Sequence, residues 1–180
     1  MLLVTLQVQS TTVSAGLSDG VYLISQKPIV QLGSTTYYLS LSGVSEKAQL
    51  QILKEESPGN KTQMWEIKNV QGGVTLKNVA FGCYGYVGSL WDVLPIGAPL
   101  LCSPDGTSVP QVFQPEQNED GTYRIKHFNW SDPSLFFLMH TVPLDPSLGA
   151  QKTYGNISFV PLATNFATYF WFKWIGNLTE

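Results

Sequence analysis

Charge is scarce in this sequence. Only 13% of its 180 residues are Asp, Glu, Lys or Arg, and the formal net charge is −3. The basic residues form no run, so the chain lacks the positive patch that binds nucleic-acid phosphates or an anionic membrane surface. We therefore expect neither nucleic acid nor a membrane as a partner.

Long apolar runs are also absent. No stretch of about 18 apolar residues occurs, so we expect no membrane-spanning helix. The segment Met1–Ser10 has no basic flank and too short an apolar run for a secretion signal. This predicts a cytoplasmic protein, with secretion left open. Four Asn-x-Ser/Thr sequons would accept glycans only after secretion: Asn60, Asn129, Asn156 and Asn177.

Histidine and cysteine are equally sparse, with two of each. They show no metal-ligand spacing, and no close pair of titratable residues can be named as general acid and base. We expect no catalytic site, no metal and no cofactor. Cys83 and Cys102 fall on neighbouring predicted strands of unknown register. Two buried thiols are favoured over a disulfide.

What the sequence does contain is a pattern of four short strand-like segments that occurs three times. Each unit opens on a glycine-led strand, continues through an aromatic and then an apolar strand, and closes on an aromatic residue. The units open at Gly20, Gly73 and Gly121. Such short segments, separated by turn residues, are typical of antiparallel sheets. No segment has a convincing helical pattern.

We therefore predict one all-β domain of twelve short antiparallel strands in three four-strand repeats. An N-terminal extension or extra strand covers residues 1–17, and the domain covers residues 18–180. Its repeats span about 18–70, 71–119 and 120–176. A closed threefold architecture of this kind usually works through its loops rather than its core.

The ends of the repeats carry a family resemblance. Gln63-Met64-Trp65 has the Gln-x-Trp form of the ricin-B-like lectin family, and Gln111-Val112-Phe113 is a degenerate copy. Phe170-Trp171 occupies the same place without the Gln. The chain thus resembles the β-trefoil of this family, its fungal members in particular. The resemblance implies that Trp65, Phe113 and Trp171 serve the core, and that the Gln63 side chain bonds to backbone.

The same resemblance implies two functions, because β-trefoils of this type include sugar-binding lectins and inhibitors of cysteine or serine proteases. Galactose-binding members carry an Asp on or just after the second strand of a repeat. The corresponding stretches here, residues 38–41, 84–87 and 136–139, contain none. A lectin of this sequence must therefore use a non-standard sugar site.

Two loops pair a tryptophan with polar residues. Sugar binding needs an aromatic face for the apolar side of a pyranose, with carboxylate or amide groups for its hydroxyls. Each Trp could instead fold back onto the barrel, each Asp could serve only the turn, and the histidine could be an ordinary surface residue of a strand. We predict a carbohydrate site from these residues: Trp130, Asn129, Asp132 and His127, then Trp91 and Asp92.

The inhibitor alternative would use a loop inserted into the cleft of a protease. Three proline-containing loops are candidates, although each could be an ordinary turn: residues 56–62, 90–97 and 142–147. The predicted partners are therefore glycans or glycoproteins, or alternatively a protease. A homodimer is left open.

Overall fold

The structure is a computed structural model, and its described residues form twelve strands and a short 3-10 helix, Lys61–Gln63. They cover residues 16–26, 36–44, 49–52, 60–88, 98–103, 110–129, 132–143, 153–161 and 168–178. Across these ranges, no helix has the length and apolar character needed to span a membrane. The strands are β1 (Gly20–Gln26), β2 (Tyr37–Ser40), β3 (Gln49–Ile52), β4 (Met64–Val70), β5 (Gly73–Asn78), β6 (Tyr84–Val87), β7 (Ala98–Ser103), β8 (Phe113–Gln117), β9 (Tyr123–Asn129), β10 (Asp132–Pro143), β11 (Thr153–Pro161) and β12 (Phe170–Gly176).

Six of the strands close into a barrel. Strand β1 pairs with β4 and β12, β5 pairs with β4 and β8, and β9 pairs with β8 and β12, all antiparallel. Each barrel strand thus has a partner on both sides, which closes the sheet on itself.

The other six strands form three hairpins, β2–β3, β6–β7 and β10–β11. The first strand of each hairpin pairs with the barrel strand that precedes it. Strand β11 also pairs with β3 and β7 and so links the three hairpins. Each repeat therefore supplies two barrel strands and one hairpin, as the threefold sequence pattern predicts.

The closing strand of each repeat places one aromatic side chain in the core. Trp65, Phe113 and Phe170 are fully buried. Each pairs with a buried residue on the opening strand of its own repeat: Tyr22, Val74 or Tyr123. The Trp65 indole Nε1 also donates a hydrogen bond to the carbonyl oxygen of Leu39, at 3.0 Å. The predicted core roles of Trp65 and Phe113 are confirmed.

The core role predicted for Trp171 is wrong. Its side chain is 39% exposed, whereas Phe170 is fully buried and takes the position equivalent to Trp65. Neighbouring residues of a strand point to opposite sides of the sheet. Because the register places Phe170 opposite buried Tyr123, Trp171 faces outward.

The two closing glutamines differ in their hydrogen bonds. Gln63 is buried, but its Oε1 finds no hydrogen-bond partner within the described part of the chain. The backbone bond predicted for the Gln63 side chain is therefore not made through this oxygen. In the second repeat, Gln111 Oε1 accepts a hydrogen bond from the Val87 N–H at 2.7 Å. There the glutamine does tie the closing segment to the β6–β7 hairpin.

Cys83 and Cys102 form a disulfide, so the prediction of two buried thiols is wrong. Cys83 immediately precedes β6, and Cys102 lies on β7 opposite Gly85. This register brings the two Cα atoms to 5.6 Å, a separation that a disulfide spans without backbone movement. Both cysteines are buried, and the bond joins the two strands of the β6–β7 hairpin.

Hydrogen bonds to β4 hold the start of the described chain. Leu17 is already part of the core, and its carbonyl oxygen accepts a hydrogen bond from Asn69 Nδ2 at 3.0 Å. The Asp19 carboxylate accepts a second bond, from the Asn69 N–H at 2.8 Å. Residues 1–15 of the predicted extension lie outside the described residues.

Candidate functional site

The first predicted site lies at the connection between β9 and β10. Strand β9 ends at Asn129 and β10 begins at Asp132. These two residues lie directly opposite each other in the antiparallel register. Trp130 and Ser131 connect them and lie outside the described residues. The hairpin therefore pairs Asn129 with Asp132 at the two ends of the segment that contains Trp130 in the sequence.

The register of β10 is irregular next to this connection. It shifts between Asp132 and Phe136, so that Phe136 is the next residue of β10 paired with β9, opposite Phe128. Such bulges re-aim a strand and are over-represented beside functional sites. In the other two repeats the connections are longer, residues 27–36 and 79–83. The threefold symmetry is therefore broken here.

His127 lies inside the barrel. It is therefore neither an ordinary surface residue of the strand nor placed to donate a hydrogen bond to a sugar, and both expectations are corrected. Its side chain is only 6% exposed. The ring centroid lies 5.5 Å from that of Phe113 and 6.0 Å from that of Phe159. Nδ1 is 3.3 Å from the Val112 carbonyl oxygen. Burial lowers the pKa of His127 and outweighs the opposing effect of the bond to Val112, so the neutral ring donates its Nδ1–H to that oxygen.

The repeat explains why a polar residue is buried at this position. His127 pairs with Phe113 as Asn78 pairs with Trp65. Asn78 is also buried, and its Nδ2 donates to the carbonyl oxygen of Met64 at 3.5 Å. Met64 precedes Trp65 just as Val112 precedes Phe113. His127 thus has the structural role of Asn78, which a register-based alignment of the repeats could have indicated.

The second predicted pair, Trp91 and Asp92, lies outside the described residues. The structure does show how the ends of that loop are held. The Gly88 N–H donates to the Pro99 carbonyl oxygen at 2.9 Å, where β6 pairs with β7. The loop therefore leaves from the end of a disulfide-linked hairpin.

The loops of the inhibitor hypothesis are described only at their edges. Residues 90–97 and 144–147 lie outside the described ranges, as do residues 56–59 of the first loop. That loop ends in the 3-10 helix, whose residue Thr62 donates its N–H to Asn60 Oδ1 at 3.2 Å. The Thr62 carbonyl oxygen accepts a bond from the Leu41 N–H at 3.1 Å. This part of the loop is tied to the fold rather than extended.

Charged residues on the outside of β8 and β9 form a small ion-pair network. Glu116 lies 3.0 Å from the Lys126 Nζ and also pairs with Arg124. The hydrogen bond from Lys126 is the main reason that the pKa of Glu116 is lowered. Within the described ranges, no group of three or more His, Cys, Asp or Glu side chains is placed to hold a metal ion.

Comparison with known proteins finds similar structures but no match to a family model or a curated protein. The ricin B-like lectin of Macrolepiota procera, determined in complex with lactose, aligns over 88% of this chain and 99% of its own, with 15% identity and a TM-score of 0.57. The designed threefold-symmetric protein ThreeFoil aligns over 87% of this chain and 100% of its own, with 12% identity and a TM-score of 0.57.

A third similar structure is a much longer protein. A mosquitocidal holotoxin aligns over 89% of this chain with 14% identity and a TM-score of 0.58, but this chain covers only 18% of the toxin. Together with the closed barrel and the three hairpins, these similarities confirm the predicted β-trefoil fold.

Proposed function

We propose that this ricin-B-like β-trefoil is a non-catalytic carbohydrate-binding protein whose principal site is the β9–β10 connection. The observation that carries the proposal is the register that sets Asn129 opposite Asp132. Two residues with hydrogen-bonding side chains thus flank a two-residue connection that contains Trp130. An indole offers an apolar face to a pyranose ring, while a carboxylate and an amide select its hydroxyls.

The symmetry of the fold supports this placement. A trefoil repeats its core contacts three times, so a site specific to one repeat must use residues that depart from the repeat. The β9–β10 connection departs in both length and register. The Macrolepiota procera lectin, which shares the fold, was determined with lactose, so lactose and related neutral glycans are the first probes.

Trp91 and Asp92 are proposed as a secondary contact. They repeat the pairing of an aromatic residue with a carboxylate, in a loop between β6 and β7. The disulfide and the Gly88–Pro99 hydrogen bond hold the hairpin from which this loop leaves. A loop on a rigid base loses less conformational entropy when it binds.

A glycan array followed by titration of the best glycan tests the proposal. Trp130→Ala should weaken binding by about tenfold or more, because a central aromatic contact is lost. Trp91→Ala, at the proposed secondary contact, should have a smaller effect. The melting temperature should change little in either variant. Unchanged affinity of Trp130→Ala would contradict the assignment, as would its unfolding.

Protease inhibition remains the competing prediction, and no contact within the described residues favours it. A panel of papain-like, legumain-like and trypsin-like enzymes, assayed with the same preparation, separates the two functions. Tight inhibition combined with a blank glycan array would overturn the carbohydrate-binding proposal.

A further inference from the structure

We propose a second carbohydrate site, in an open depression between the β8–β9 turn and the start of β12. The depression has a volume of about 410 Å³ and is lined by Asn118, Glu119, Asp120, Thr122 and Tyr169. It shares no residue with the β9–β10 connection. Thr122 immediately precedes β9 and Asn129 is its last residue, which places the two sites about 20 Å apart. This second-site proposal rests on the proposed function only for its class of ligand, a carbohydrate.

An exposed tryptophan lies against the turn that forms one side of the depression. A Cβ placed on Gly121 would lie 3.5 Å from Trp171 Cζ3, so the indole lies against the turn between Asp120 and Thr122. Gly121 has a φ of 80°, a conformation that favours glycine. No side chain therefore stands between the indole and the turn. Trp171 is 39% exposed and follows Tyr169, which lines the depression, by two positions.

The polar side of the depression is fixed before any ligand arrives. The Asn118 N–H donates to the Thr122 carbonyl oxygen at 2.8 Å, and the Gly121 N–H donates to the Asn118 carbonyl oxygen at 3.0 Å. The Asp120 Oδ1 accepts from the Thr122 N–H at 3.0 Å, and Thr122 itself is buried. A turn held by these bonds loses little conformational freedom on binding, which favours affinity.

The chemistry of the lining residues favours a neutral saccharide. Glu119 is exposed, and its carboxylate accepts hydrogen bonds from sugar hydroxyls. Together with Asp120 it repels acidic sugars. The Trp171 indole supplies a flat apolar face. A quaternary ammonium ligand would instead require aromatic faces that enclose it, whereas this depression is open.

The test uses the double variant Trp91→Ala/Trp130→Ala, in which the first site and its secondary contact are removed. We expect this protein to retain weaker binding to neutral glycans on the array, and we expect sialylated forms of the same glycans to bind less. Adding Trp171→Ala should reduce the retained binding about tenfold or more. Adding Trp174→Ala instead is the matched control. Trp174 is 52% exposed on the same strand but lies against Gly20 rather than Gly121, so the binding should not change.

The other outcomes show which of the two sites, if either, binds glycans. If the double variant binds nothing and Trp171→Ala binds like the wild type, the second site is overturned and the first stands. If the double variant binds fully and Trp171→Ala does not, the first site fails and the second stands. If neither the wild type nor the variants bind any glycan, both sites are overturned. The last outcome is that the protein binds choline but no neutral glycan, and that Trp171→Ala loses this binding. The ligand of the depression would then be a cation rather than a saccharide.

Discussion

The imidazole of His127 packs against Phe113 and Phe159 and faces the Val112 carbonyl oxygen. Burial lowers its pKa below the ordinary value of 6.5. The unfolded chain therefore takes up a proton at a pH where the folded chain does not. The free energy of unfolding is highest above about pH 6.5 and falls as the pH drops below it.

His127→Gln tests this effect, because glutamine keeps a hydrogen-bond donor but does not titrate. Urea denaturation near pH 7 and near pH 5.5 should show a loss of stability in the wild type that is clearly smaller in the variant. The variant should also be less stable near pH 7, by about 1–3 kcal/mol, through poorer packing and bonding. An equal pH dependence in both proteins would contradict the assigned role of His127.

Two carboxylates extend the acid sensitivity to lower pH. The pKa of Asp19 is lowered mainly by its hydrogen bond from the Asn69 backbone, and that of Glu116 mainly by its hydrogen bond from Lys126. Their contributions are present above the ordinary pKa values of 3.8 and 4.5 and are lost as the pH falls below those values. Asp19 is exposed and Glu116 is partly exposed, so solvent screening keeps their contributions small.

The side of the sheet that a residue faces was harder to predict than the strand to which it belongs. The Gln-x-Trp motif identifies Trp65 and Phe113 as core residues. The third repeat lacks the Gln that would show which of its aromatic residues takes the same position. Since adjacent strand residues face opposite sides, an error of one position exchanges Phe170 with Trp171. The same alternation leaves Trp171 exposed beside the Asp120 turn. The sequence pattern did not indicate this position.

At the scale of elements, the β6–β7 hairpin depends on its disulfide. The bond closes a loop between residues that are 19 positions apart, and it joins strands that also pair across four residues. Closing a loop of this size restricts the unfolded chain and contributes about 3 kcal/mol. The hairpin also supports the loop that contains Trp91 and Asp92.

Replacing both cysteines, as Cys83→Ala/Cys102→Ala, should lower the free energy of unfolding by about 3 kcal/mol. Denaturation with and without a reductant measures the effect. The reductant should destabilise the wild type by a similar amount and leave the double variant unchanged. Insensitivity of the wild type to the reductant, or free thiols in its unreduced unfolded form, would contradict the disulfide.

The positions of the twelve strands were predictable, but the register was not. The glycine-led, aromatic, apolar and closing segments of each repeat identify its four strands because turn residues separate them. Register depends on contacts between distant segments. It determines that Cys83 meets Cys102, that His127 is buried, and that Asn129 lies opposite Asp132.

At the scale of the whole molecule, the barrel is threefold but its surface is not. All three repeats bury an equivalent aromatic residue, whereas only the third combines a two-residue connection with an exposed Trp171. Two saccharide sites about 20 Å apart on one chain would allow it to bridge glycans. The core thus supports the fold, and the proposed function belongs to residues that break the repeat.

The disulfide also bears on where the protein acts. Disulfides persist mainly in oxidising compartments, so the Cys83–Cys102 bond weighs against the cytoplasmic location expected from the sequence. That location stays a prediction. Mass spectrometry of the protein from its natural source, with thiols alkylated at lysis, would show a linked pair of cysteines outside the cytosol and alkylated cysteines within it.

The central claim is that the β9–β10 connection binds carbohydrate. Isothermal titration of the wild type and of Trp130→Ala, with the best neutral glycan from the array, tests it most directly. The proposal predicts that the tighter binding event disappears in the variant while its melting temperature is retained. Equal affinity and stoichiometry in the two proteins would contradict the claim.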